Sequence, residues 1–328
     1  MIEAARSGRT LVIALGLLAG AAMPATAQGT WSTKAPMPTA RADTNAVVLD
    51  NKLYVIGGTL GAEPFAANEQ YDPATDRWRK LAPMPRGIHH QALATVNGKI
   101  YAFGGFTAPA HGGPIDVGLE YDPKADSWRT LPNLSSPRGS PSGVGLNGKI
   151  HVIGGRGADA VTLPIHQVFD PATNQWSMAA PLSKGRDHAG LVVAEGKIHA
   201  IGGRLAGPDS NQNFHDVYDP ATNAWTAAEP LPTPRSSSGL TEYRGMILVL
   251  GGENETTAPD PRGAHKELEA YDLKSGKWTK LTSLSGGRHA MGAGSIGNAA
   301  YFAGGGTTRG PLAAVNELLV FTLPSTSP

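Results

Sequence analysis

The chain has 328 residues, with 42 glycines, 26 prolines, six tryptophans, no cysteine and a formal net charge of +1. The absence of cysteine excludes disulfides, thiolate metal centres, a cysteine nucleophile and an acylated-cysteine anchor, and a near-neutral chain with no long basic run is not built for nucleic acid. Charged residues make up 17% and hydrophobic ones 40%, so a turn-rich chain that can still bury a core points to an all-β fold rather than disorder or a helical bundle.

The first segment stands apart from the rest. Arg6 and Arg9 give a basic start, Leu11 to Ala22 is an apolar run, and Ala25-Thr26-Ala27 places small residues where a signal peptidase reads them. That order predicts a secretory signal peptide over residues 1–27, with a mature domain over 28–328 in the periplasm or outside the cell. The apolar run is shorter than the roughly 20 residues a bilayer span needs, so no membrane span is expected.

From residue 30 onward the chain repeats itself. Trp occurs at 31, 78, 128, 176, 225 and 278, and a Gly-Gly pair begins 26 residues after each, at 57, 104, 154, 202, 251 and 304. Asp72, Asp122, Asp170, Asp219 and Asp272 each lie six residues before a Trp, four of them in a Tyr/Phe-Asp-Pro run. Six identical spacings mark six copies of one supersecondary unit. In the unit spanning 86–134, a first strand over His89–Val96 ends at the Asn97-Gly98 hairpin signal. A second runs over Lys99–Phe103 to Gly104-Gly105, a third over Gly118–Tyr121 turns at Asp122-Pro123, and a fourth carries Trp128.

Gly-Gly, Tyr-Asp-Pro and Trp at this period resemble the kelch repeat, over residues 30 to 323. The resemblance implies a six-bladed β-propeller with one four-stranded blade per repeat. Trp31 precedes any complete blade, and Val315–Leu323 forms a third-strand pattern with no Trp after it. The N-terminal strand is therefore expected to complete the last blade, closing the ring and removing its free edges.

Length varies only between Gly-Gly and the next Trp, in the loop from second to third strand. Function is expected on that long-loop face. Arg41, Arg138, Arg186, Arg235 and Arg288 each stand 16 residues before their Gly-Gly; in the second repeat Ile88 holds that slot. Two readings stay open for them: clamps that pair with carboxylates or cap carbonyls between blades, or a cationic collar for a carboxylate or sugar ligand. Two residues further on lie Asp43, His90, Ser140, His188 and Ser237, with His89, Asp187 and His289 beside them. Arg156, Arg204 and Glu253 follow Gly-Gly at the expected channel mouth. Asp43, His289, Arg156 and Arg204 join the arginine ring as candidate ligand-binding residues. His188, His90 and Glu253 are the candidates for proton transfer. Eight of the ten histidines, His111, His166, His215 and His265 among them, map to the long-loop face, whereas His151 and His199 replace a second-strand tyrosine and read as structural.

Glu255, Asp260 and His265 have a metal-ligand composition and are similar to the Glu-x3-Asp-x3-His iron motif of kelch nitrile-specifier proteins, but each gap is one residue longer and prolines flank the aspartate. A solvated acidic loop is the reading preferred, and no metal or other cofactor is expected. The function expected is a monomeric binding scaffold that presents its long-loop face to a glycan, a small acidic ligand or a protein. The alternative is a carbohydrate-active isomerase, since the chain also resembles exported kelch sugar mutarotases of the sialic-acid type, for which His188, His90 or Glu253 would move protons. Copper radical oxidase chemistry of the galactose oxidase kind, which shares the propeller, is rejected because its ligand tyrosine is cross-linked to a cysteine this chain lacks.

Overall fold

The computed structural model describes residues 28–254 and 263–324, together with Met1. The signal-peptide reading of residues 1–27 and the candidate ligands Glu255 and Asp260 lie outside the described residues. Apart from two short 3-10 turns, the regular structure described is strand, arranged as six antiparallel four-stranded sheets and two short two-stranded hairpins, Thr59–Leu60 with Glu63–Pro64 and Phe106–Ala108 with Gly112–Pro114. No described helix is long and apolar enough to cross a membrane.

Blade 1 is built from Asn45–Leu49, Lys52–Ile56, Asn68–Asp72 and Arg77–Lys80, and blade 2 from Ala92–Val96, Lys99–Phe103, Gly118–Asp122 and Ser127–Leu131. Blade 3 uses Ser142–Leu146, Lys149–Ile153, His166–Asp170 and Gln175–Met178. Blade 4 uses Gly190–Ala194, Lys197–Ile201, His215–Asp219 and Ala224–Ala227. Blade 5 uses Gly239–Tyr243, Met246–Leu250, Leu268–Asp272 and Lys277–Leu281. Blade 6 consists of Gly292–Ile296, Ala299–Ala303, Leu318–Thr322 and, as its outermost strand, Thr30–Lys34 from the other end of the chain. Trp31 pairs with Phe321 in that last ladder, as the sequence predicts. Each first strand contacts the first strands of both neighbours, so the six enclose an axial channel.

The repeated residues show why the ring holds. Every tryptophan donates its indole N–H to the carbonyl that lies four residues past the tryptophan of the preceding blade. Trp78 reaches Ala35, Trp128 Ala82, Trp176 Pro132, Trp225 Ala180 and Trp278 Glu229, and Trp31 reaches Thr282, at 2.6 to 3.1 Å. The circuit returns to its start, so each blade is bonded to the next. The first glycine of each Gly-Gly pair makes a second inter-blade contact. Its φ lies between 63° and 68°, and a Cβ built there would stand 2.0 to 2.7 Å from the carbonyl oxygen of the arginine-slot residue of the following blade. Glycine alone gives both that conformation and that approach.

The first strand of blade 2 begins at Ala92 rather than at the predicted His89. The cause is His90, whose φ of 55° breaks the extended backbone. The corresponding residue of every repeat does the same: Asp43, Ser140, His188, Ser237 and Ala290 also have φ between 49° and 54°. Only an isolated bridge, such as His89 to Phe106, extends past that bend.

Two histidines placed on the long-loop face by the sequence belong elsewhere. His166 and His215 open the third strands of blades 3 and 4 and are buried. Each is hydrogen-bonded at 2.8 Å to the second-strand histidine of its own blade, His151 and His199 respectively. His166 and His215 donate from Nδ1 to Ala180 and Glu229 carbonyls. Burial, the largest influence, lowers all four from the ordinary histidine value, to about 4 for His151, His166 and His199. Because the folded value is depressed, these groups leave stability intact above about pH 6.5 and remove it as pH falls through the window down to about 4. The urea midpoint is expected to fall steeply between pH 6.5 and 4.5. His151→Leu with His166→Leu, copying Leu248 and Leu268 of blade 5, should make that fall shallower. An unchanged slope in the double variant would remove the pair as its source.

Candidate functional site

Five of the predicted residues are engaged within the blades. Arg41, Arg138, Arg186, Arg235 and Arg288 are buried. Their guanidiniums bond to second-strand or Gly-Gly carbonyls and to a polar side chain of the third strand or its approach. Arg41 meets Glu69 at 2.6 Å, Arg138 meets Gln167 at 2.6 Å and Arg186 meets Asp216 at 2.7 Å. Arg235 meets Glu269 at 2.6 Å and Arg288 meets Glu317 at 2.5 Å. None of the five lines the channel cavity. The partners lie in the same blade rather than in a neighbouring one, and Asp43, Asp187 and Glu253 are not among them: an arginine at the strand entrance reaches outward along its own blade, not across the axis. Blade 2 shows the rule by exception. Where Ile88 replaces the arginine, Leu119 occupies the third-strand place held by Glu69, Gln167, Asp216 and Glu269; blade 6 has Leu319 there, and its Arg288 reaches Glu317 two residues earlier.

The remaining candidates do converge. The bend residues Asp43, His90, Ser140, His188 and Ser237 surround a cavity of about 140 Å³ on the channel axis. It opens onto a wider passage of about 370 Å³ between the first strands. The residue before each bend bridges to the residue after Gly-Gly: Asp187 to Arg204, Ser236 to Glu253, His289 to Gly306. That pairing carries a polar belt around the mouth. Arg204 is buried and donates from Nε to Asp187 at 3.2 Å, from Nη1 to Glu253 at 2.7 Å and from Nη2 toward His188 Nε2 at 3.1 Å. The other Glu253 oxygen lies 3.6 Å from His289 Nδ1, and His289 Nε2 is 2.7 Å from the Thr308 carbonyl. Arg156 rests on the Phe106 ring and approaches Asp187 at 3.8 Å. It is more open than Arg204 and makes no side-chain hydrogen bond among the described residues.

Proton positions follow from the partners. His188 Nδ1 is 2.8 Å from Asp187 Oδ1, so it donates there and leaves Nε2 as the acceptor. Burial keeps His188 neutral, with Arg204 and His90 adding to the effect. Burial also raises the Asp187 carboxyl, against the pull of Arg204 and Arg156. His89 Nε2 faces the Ala108 carbonyl at 3.1 Å, so its Nδ1 accepts from His90 Nδ1 at 2.7 Å. Nε2 of His90 then faces Asp43 at 3.3 Å. Burial alone would raise the Asp43 carboxyl, but His90, His289 and His89 hold it below its ordinary value.

His111 is a component the sequence did not single out. It sits at the turn of the hairpin formed by Phe106–Ala108 and Gly112–Pro114, and its ring lies 4.9 Å from His90 and 5.1 Å from His188. The three imidazoles offer ligand atoms within 4.8 Å of one another. His265 stands apart, 3.5 Å from Glu267. The only sequence signal for His111 was its place in a variable loop on the long-loop face.

The family model for the KLHDC2/KLHL20/DRC7 kelch-repeats domain matches residues 90–305, and the kelch motif model matches residues 40–85. The chain belongs to the kelch-repeat family. Among curated kelch relatives it is 39% identical over 84 residues to Kelch-like protein 25 of Xenopus tropicalis, covering 23% of this chain and 14% of that protein. It is 40% identical over 78 residues to alpha-scruin of Limulus polyphemus, covering 24% and 8%. The kelch match therefore spans a small part of those proteins' length. The solved structure of YjhT superposes with a TM-score of 0.76 at 20% identity, covering 89% of this chain and 97% of that one, which establishes the shared six-bladed kelch fold.

Proposed function

We propose that this kelch propeller is an exported binding protein that takes the acidic or hydroxyl-bearing end of a ligand into the channel mouth on its long-loop face. The observation that carries this reading is the cluster of Arg156, Arg204, His90, His111 and His188, from blades 2, 3 and 4, at the mouth of the axial cavity, which His90 and His188 line. A cavity of about 140 Å³ is smaller than the 300 Å³ or more typical of a site enclosing a drug-sized ligand. It suits a terminal carboxylate or one face of a sugar, with the rest of the ligand resting on the loops. Arg156 has donors to spare for such a group, whereas Arg204 is already neutralised by Asp187 and Glu253 and holds the belt in place.

A second reading is favoured by the Asp187–His188 pair. A carboxylate fixes one imidazole nitrogen and aims the other toward the cavity, the arrangement of a general base. Sugar anomer exchange, which needs only acid-base help, is the reaction it would suit. Binding of sugar acids followed by saturation-transfer NMR tests both readings. Arg156→Ala is expected to weaken binding at least tenfold with an unchanged circular dichroism spectrum. Accelerated anomer exchange abolished by His188→Gln would favour the enzyme, and binding unaffected by Arg156→Ala would move the site off the channel mouth.

A further inference from the structure

We propose that the channel mouth is also a binding site for one divalent transition-metal ion of the zinc or cobalt(II) class, held by ring nitrogens of His90, His111 and His188. Three observations carry this. First, the three imidazoles come from two blades and a surface hairpin, and their ligand atoms lie within 4.8 Å of one another. Ligands at about 2.0–2.1 Å around a tetrahedral ion are some 3.3 Å apart, so closure needs only a modest inward movement, much of it available to His111 at its hairpin turn.

Second, two of the three have a second nitrogen already fixed by an outer partner. His188 Nδ1 donates to the Asp187 carboxylate, and His90 Nδ1 donates to His89, which is itself anchored on the Ala108 carbonyl. Metal-bound imidazoles are held by such partners, which fix both tautomer and ring direction. In each case Nε2 is the nitrogen left facing the mouth. Third, a cation already stands at one of those nitrogens: Arg204 Nη2 is 3.1 Å from His188 Nε2. An entering ion replaces that contact and the one between His188 Nε2 and the Ser140 hydroxyl at 3.2 Å, while Arg204 keeps Asp187 and Glu253. Asp43, 3.3 Å from His90 Nε2, contributes negative charge beside the ion. The axial cavity leaves room for a water or a ligand atom at the open position, as in sites with three protein ligands.

Cobalt(II) added to chelator-treated protein is the probe, read by visible absorption and by metal content after gel filtration, with zinc as competitor. One equivalent per chain is expected, with the intense spectrum of a site of low coordination number. His111→Ala, at the turn of a surface hairpin, should weaken binding at least tenfold with an unchanged melting temperature, as should His188→Ala. His265→Ala should leave it unchanged. Failure to bind one equivalent, or binding that His111→Ala does not alter, would overturn the proposal. No organic ligand takes part in this measurement, so its failure leaves the sugar-acid experiment standing, and the reverse also holds.

Discussion

Removal of residues 28–38 should leave a chain that does not fold stably. That segment contributes the outermost strand of blade 6, five residue pairs from Thr30–Thr322 to Lys34–Leu318. It also brings Trp31, whose ring lies 5.0 Å from Phe321 and 5.7 Å from Phe302 and whose indole bonds to Thr282. Loss of a packed tryptophan side chain alone costs about 3–5 kcal/mol, against a total stability of about 5–15 kcal/mol for a typical domain. The deletion also bares the edge formed by Leu318–Thr322, an unpaired strand prone to aggregation. We expect Trp31→Ala to lower the unfolding free energy by about 3 kcal/mol and the deletion to remove cooperative melting. A melting temperature unchanged by the deletion would contradict closure as the main constraint on the ring.

Arg41→Ile is expected to be nearly as damaging as a core deletion, and the second substitution Glu69→Leu should restore most of the loss. Arg41 and Glu69 are both buried, in contact at 2.6 Å, and the guanidinium also bonds to the Val55 carbonyl. Burial lowers the Arg41 value despite the pull of Glu69, a sign of how much solvation the pair gives up. Removing one partner of a buried pair leaves the other charged and desolvated, at a cost of about 3–5 kcal/mol, whereas an apolar pair of similar volume is often neutral. Blade 2 already has that apolar version in Ile88 and Leu119, both buried. Chemical denaturation of the two single variants and the double variant measures the coupling. A double variant as unstable as Arg41→Ile alone would show that the carbonyl contacts, not the charge pair, carry the effect.

The blades and their closure were legible because they rest on residues repeated at fixed spacing, Trp31 and Gly57 being the first instances. The arginine slot was equally visible, but not its partners. Those depend on the register of first and third strands, which the variable loop between them hides from a count along the chain. His166 and His215 were misplaced for a related reason. They stand three residues before Phe169 and Tyr218, where Asn68 and Leu268 stand in other repeats, so counting from the Tyr/Phe-Asp run assigns them to strands. His111 had no such anchor. It lies where repeats differ in length, and only folding brings it to His90 and His188.

The left-handed bend at Asp43, His90, Ser140, His188, Ser237 and Ala290 has an evolutionary implication. Such a backbone disfavours β-branched side chains and tolerates short polar ones and histidine. Five of these six positions carry an aspartate, a serine or a histidine, groups that can bind or transfer protons, and the sixth carries the small Ala290. Because the bends are joined to one another by backbone bonds, as from His90 N to the Asp43 carbonyl and from Ala290 N to the Ser237 carbonyl, one position can change its side chain without obliging the other five to follow. A propeller of this kind can acquire a new specificity by single substitutions around a rim whose geometry is already in place.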